Sequence, residues 1–176
     1  MTGKAAAIAI LVIAVIAGGA MYWLQVYAFY RMLAPEEVAL QAVGREGGPL
    51  PLAASNIEAI TADSSPIRFR ACFSVADPAG VIAAARPAAD AVPLNAPSWF
   101  SCFDAQSLGA DLAEGRATAI IGTENIRYGI DRVLVVYPDG RGFAWDQINH
   151  CGAEVFDGNP PPVGCPLPPE ASLGEA

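Results

Sequence analysis

The chain has 176 residues, 53% of them apolar, with 10 basic and 18 acidic side chains and one histidine, for a formal charge of −8 at pH 7. Residues 35 to 176 carry eight arginines and no lysine against all 18 acids, a formal charge of −10, so nucleic acid is excluded as a partner class. An acidic segment of this kind is also not what anionic headgroups attract, since those favour basic clusters.

In chain order, the first element is an apolar run from Ala5 to Tyr30. Ala5 to Leu24 contains no charged or strongly polar side chain, and 20 helical residues at 1.5 Å rise cover the roughly 30 Å of a bilayer core. Lys4 gives the short basic head that secretory signals and permanent anchors share, and Gly18, Gly19 and Ala20 offer small residues of the kind cleaved in a signal. Apolar character nevertheless continues to Phe29. Tyr22, Trp23, Tyr27 and Tyr30 form an interfacial aromatic belt, with Arg31 at the water boundary. We therefore expect a retained span over residues 5–30, a cytoplasmic end at 1–4, and a bilayer as its surroundings. Ala14, Gly18 and Gly19 are the small residues that would admit a second helix, so an integral-membrane protein is the expected partner. Positive charge on the two sides is nearly balanced. The four cysteines all follow the span, which puts the C-terminal part in an oxidising compartment: a bacterial inner membrane with the domain in the periplasm.

Residues 31–54 read as a juxtamembrane helix from Pro35 to Val43 and a Gly/Pro linker over 44–54. Residues 55–156 read as one periplasmic domain. Ser55 and Glu58 have capping-box spacing, predicting a brief helix at 56–62. Ile67 to Val75 alternates as a strand; Asp77-Pro78 caps a helix that Pro87 stops; residues 87–98 form a loop. Trp99, Phe100 and Phe103 are expected core anchors, and Asp104 caps a helix to Glu114. Strands follow at 117–122, 126–137 and 142–148, the last two joined by a turn at 138–141. The prolines from 160 onward mark residues 157–176 as an extended tail. The fold class is α+β: a transmembrane helix, then a small antiparallel sheet with short helices packed on one face and disulfide staples.

Cys72, Cys102, Cys151 and Cys165 allow three pairings, of which we favour Cys72 with Cys102 and Cys151 with Cys165. The same thiols beside His150 would be the ligands of a copper or thiol-handling protein, a minor alternative without close metal-motif spacing or a C-x-x-C pair. No P-loop, H-E-x-x-H or G-x-S-x-G occurs, and carboxylates such as Asp131 and Asp146 carry no spacing signature, so no enzyme, cofactor or catalytic residue is expected.

The stretches 62–68 (ADSSPIR), 99–104 (WFSCFD), 125–132 (NIRYGIDR) and 139–152 resemble a family of single-span alphaproteobacterial membrane proteins without an assigned activity, some of them mislabelled histidine kinase. The resemblance implies the same single-span layout and transfers no functional residue. Two function classes follow as expectations. The first is a non-catalytic accessory or assembly partner of a larger membrane complex, for instance a respiratory one. The alternative is a periplasmic ligand-binding or sensing module using Arg68, Arg70, Arg127 and Arg132 as anion receptors.

Overall fold

A computed structural model describes residues 3–169. Helix α1, Gly3–Trp23, continues through a π-helical turn at Leu24–Ala28, so one helix of 26 residues, whose most apolar 18-residue window has a mean hydropathy of 2.4, is long and apolar enough to cross a membrane. It buries no residue against the rest of the chain, although it is apolar all round.

The juxtamembrane helix and linker are not formed. Arg31–Leu33 is a strand (β1), Pro35–Glu37 is a single 3-10 turn, and Gln41–Val43 (β2) pairs antiparallel with Pro49–Pro51 (β3). The glycines that resemble a linker make the hairpin turn, Gly47 and Gly48 both having left-handed φ (+91° and +79°), and the prolines fall on an edge strand that needs no N–H there. Val38 and Ala42 are core residues, which is why this segment stays with the domain.

The predicted helix at 56–62 is instead strand β4, Ala54–Thr61. Asn56 sits at φ +51° in a bulge between Ser55 and Glu58, so the spacing that mimics a capping box is that of an irregular strand. β4 gains two partners, β1 and β5 (Arg70–Val75), and tertiary pairing overrides the local signal.

Helices α2 (Pro78–Ala84, capped by Asp77) and α3 (Ala105–Ala113, capped by Asp104) lie where the sequence places them. The two strands read as 117–122 and 126–137 divide differently: β6 runs Thr118–Arg127 and β7 runs Ile130–Val136, with the reversal at Tyr128-Gly129. β8 is Arg141–Ile148, and a short helix that the sequence reading missed, α4 (His150–Phe156), follows its Asn149 cap. Residues 157–169 form neither helix nor strand, and the rest of the expected tail, 170–176, lies outside the described residues.

The α+β class is as expected: a six-stranded antiparallel sheet in the order β1-β4-β5-β8-β7-β6, a two-stranded hairpin, short helices and two disulfides, Cys72–Cys102 and Cys151–Cys165. Both faces of the sheet are covered. Ala59, Ala71, Phe73, Leu134 and Val136 face the β2–β3 hairpin and α2; Ile60, Val133, Val135, Phe143 and Trp145 face α3 and the 87–103 loop. The uninterrupted run Val133-Leu134-Val135-Val136 is the sequence mark of a strand buried on both sides. Gly142 is needed at the centre, because a Cβ there would collide with the Phe73 ring.

Candidate functional site

Tertiary structure concentrates around the point where the apolar helix meets the sheet. The helix ends at Ala28 and β1 begins at Arg31, so only Phe29 and Tyr30 separate them. The final carbonyls of a helix lack intrahelical donors. Here the Trp99 indole Nε1 donates to the Val26 carbonyl at 2.7 Å, supplying one from the folded domain. Tyr27 stacks on Trp99 (centroids 6.5 Å apart), Tyr30 meets it edge-on at 6.0 Å, and the Arg68 guanidinium lies over the Tyr30 ring at 5.4 Å. Trp99, expected as core, is thus half-buried at the junction, whereas Phe100 and Phe103 are in the core.

Of the expected interfacial anchors, Tyr22 and Trp23 are exposed on the last turn of α1, Tyr27 and Tyr30 are tied to Trp99, and Arg31 pairs with Glu37 at 3.0 Å. Glu37 also accepts from the Ala34 N–H, and the two contacts hold its carboxyl below the ordinary range, the backbone bond contributing most. Ala14, Gly18 and Gly19 lie on the fully exposed helix, where a Cβ added at either glycine would meet nothing within 4 Å.

Of the four arginines expected as anion receptors, Arg127 and Arg132 line one small notch, and Arg68 and Arg70 do not. Arg70 is buried and donates to the carbonyls of Leu94, Asn95, Ile67 and Phe69, at 2.6 to 3.0 Å; burial lowers its pKa to about 10, still cationic at neutral pH. Arg132 makes a buried two-point bond to Asp146 (2.7 and 3.1 Å) and lies 3.5 Å from the centre of the Phe69 ring. Burial pushes the Asp146 carboxyl upward against the pull of Arg132. Arg68 keeps a buried Nη1 without a hydrogen-bond partner. Arg127 is exposed and has no ion-pair partner among the described residues.

A cleft of about 630 Å³ opens on the α3 side of the sheet, between the 88–94 segment, β6, β7 and the loop closed by Cys151–Cys165. Val92, Leu94 and Ile148 give it apolar walls, and Asp90, Glu124 and Asp131 line it with carboxylates, of which Glu124 is paired with Arg86 outside the lining. Asp131 Oδ1 accepts from the Asn125 N–H at 2.8 Å and from Asn149 Nδ2 at 2.7 Å, fixing Asn125 at φ +46°. The Tyr128 hydroxyl donates to the Pro166 carbonyl at 3.0 Å, so the expected free tail is a wall of the cleft. Asp131 and Asp146 occupy adjacent registers on β7 and β8, Asp131 opposite Gln147 and Arg132 opposite Asp146, which puts the two carboxylates on opposite faces. They do not form an acid–base pair. All four cysteines are in disulfides, and no cluster of three or more His, Cys, Asp or Glu suited to a metal occurs among the described residues.

The junction was missed in the sequence because Trp99 is 73 residues from Val26; the one available signal was the aromatic density at both places. A family model described as a family of unknown function (DUF6446) matches residues 38–166, which is most of the chain, and the protein belongs to that family. No curated protein and no solved structure matches it.

Proposed function

With membership of that family as premise, we propose that the chain is a non-catalytic, single-span bacterial inner-membrane protein. Its domain lies in the periplasm and acts as an accessory or assembly partner of a larger membrane complex, such as a respiratory one. The single-span layout of the alphaproteobacterial proteins it resembles supports this, as do the two disulfides, which persist in oxidising compartments. The observation that carries the reading is the junction. A helix that feeds an edge strand through two residues, with its end capped by Trp99, holds the domain in one pose against the bilayer. A subunit that must meet a membrane neighbour on a defined face needs such a pose. The exposed small residues Ala14, Gly18 and Gly19 give that neighbour a close approach within the bilayer. Affinity purification from native membranes in mild detergent tests this. A stoichiometric integral-membrane partner, lost in Gly18→Leu, is the expected result, and a partner-free monomer at native expression levels overturns it.

The cleft favours a second reading, a periplasmic binding module. Its carboxylates and apolar walls suit a small organic cation rather than the anions first expected of the arginines. A thermal-shift series with small amines reads it directly: no stabilisation by any of them removes this reading.

A further inference from the structure

One end of the sheet is defined by where strands start and stop. β1, β5 and β7 begin there and β4, β6 and β8 end there, which brings Arg31, Thr61, Arg127, Arg132 and Asp146 together although they span more than a hundred positions. It is the end from which the apolar helix leaves. A helix of 26 residues measures about 39 Å, longer than the roughly 30 Å hydrocarbon core, so its last turn reaches the headgroup zone and Arg31 follows it by three residues. At this corner lies a notch of about 300 Å³ lined by Arg31, Arg127 and Arg132 with Asp63 and Asp146. Arg68 and Arg70 lie across the sheet on the α3 side of the same corner, so five of the nine arginines of an acidic protein gather beside the helix exit.

The cations are not equally available. Arg132 is committed to Asp146 and Arg70 to four carbonyls. Arg31 shares itself with Glu37 in a solvent-exposed pair that exchanges easily, and Arg127 has no ionic partner among the described residues. The notch lining carries three positive and two negative groups, and one negative group, Asp146, is already matched by Arg132.

We propose that this notch binds the phosphate of an anionic phospholipid headgroup, with Arg127 and Arg31 as its donors and the neutral Arg132–Asp146 pair as its fixed floor. The proposal rests on the membrane-spanning reading above but not on any protein partner. Guanidinium groups present paired N–H donors that match phosphate oxygens. The notch is large enough for a phosphodiester but not for acyl chains, which stay in the bilayer beside the helix. The protein is acidic overall, so a headgroup held at this corner also sets how the domain sits on the membrane.

The test is native mass spectrometry of the full chain in an uncharged detergent, titrated with phosphatidylglycerol, phosphatidylcholine or inorganic phosphate. The expected result is one retained phosphatidylglycerol per chain, weaker retention of phosphatidylcholine, no displacement by equimolar inorganic phosphate, and about a tenfold weaker retention in Arg127→Gln. Arg31→Gln, at a half-exposed position, is the second variant if Arg127→Gln is poorly folded, and Arg141→Gln at the opposite end of the sheet is the control. Equal retention of the two lipids, displacement by free phosphate, or the same loss in Arg141→Gln overturns the proposal. The intact mass in the same spectra reports whether the apolar helix is retained. A missing helix therefore refutes the anchored reading, while a full-length chain without bound lipid refutes only the notch.

Discussion

Trp99 offers the most direct test of the junction. Trp99→Phe keeps a ring in place but removes the indole donor to the Val26 carbonyl, a neutral hydrogen bond worth about 1 kcal/mol. Trp99→Ala also removes two aromatic contacts, with Tyr27 and Tyr30, each worth about 0.5–1.5 kcal/mol, for a total of about 2–4 kcal/mol. These energies act on the opening of residues 24–33 rather than on the sheet core, since Trp99 is only half-buried. The assay is amide hydrogen exchange in detergent micelles. Protection at residues 24–33 should fall about fivefold in Trp99→Phe and by a further order of magnitude or more in Trp99→Ala, while β5, β7 and β8 exchange as in the parent. Unchanged protection at 24–33, or loss spread evenly over the sheet, would refute the idea that Trp99 fastens the helix to the domain.

Four further outcomes are expected. Asp146→Ala leaves the Arg132 guanidinium buried without its carboxylate and should cost about 3–5 kcal/mol in chemical denaturation, much more than the double change Arg132→Met with Asp146→Leu. Removing Cys151–Cys165, which closes a 14-residue separation, should cost about 3 kcal/mol by loop-closure entropy and open the cleft wall at Pro166, read as lost exchange protection of the Cys165 amide, which donates to the Pro162 carbonyl. Tyr137 is pushed up to about 12, first by burial and then by its bond to Asp111. A raised tyrosine favours folding while protonated, so stability should be intact below pH 10 and fall between pH 10 and 12, a slope that Tyr137→Phe removes. Asp104, by contrast, is held below its ordinary value by Ser107, and its contribution should be present at neutral pH and lost as the medium is acidified below the carboxylate range, with Asp104→Asn flattening that limb of the thermal stability profile.

Elements with a local cause were legible in the sequence. Asp77-Pro78 and Asp104 cap helices wherever they fold, and Val133 to Val136 has little choice but a buried strand. The failures cluster between Arg31 and Thr61, where structure depends on partners far away. β1 pairs with a segment about 30 residues on, and the β2–β3 hairpin is held by Val38 and Ala42 reaching a core built mainly from residues beyond 59. A glycine-rich stretch reads as linker or as hairpin turn depending on whether its neighbours are buried, and burial is not a local property. The reading of Arg70 as a receptor failed for a related reason. Alternation put Arg70 on a strand face, but the 94–95 loop that folds over that face turns an apparent receptor into a structural tie.

The register of Arg70 with Trp145 fixes an order of events in folding. The two strands at the middle of the sheet, β5 and β8, are separated in sequence by α2, a long loop, α3, β6 and β7, so the sheet cannot close until nearly the whole chain has been made. Until then β5 presents an unpaired edge, the kind of surface that invites the wrong neighbour. Cys72 and Cys102 both emerge before β8, and their bond can fasten the Phe100–Phe103 loop over β5 in the interval. The disulfide is thus placed to guard a half-built sheet during folding, a task that ends when the last strand arrives.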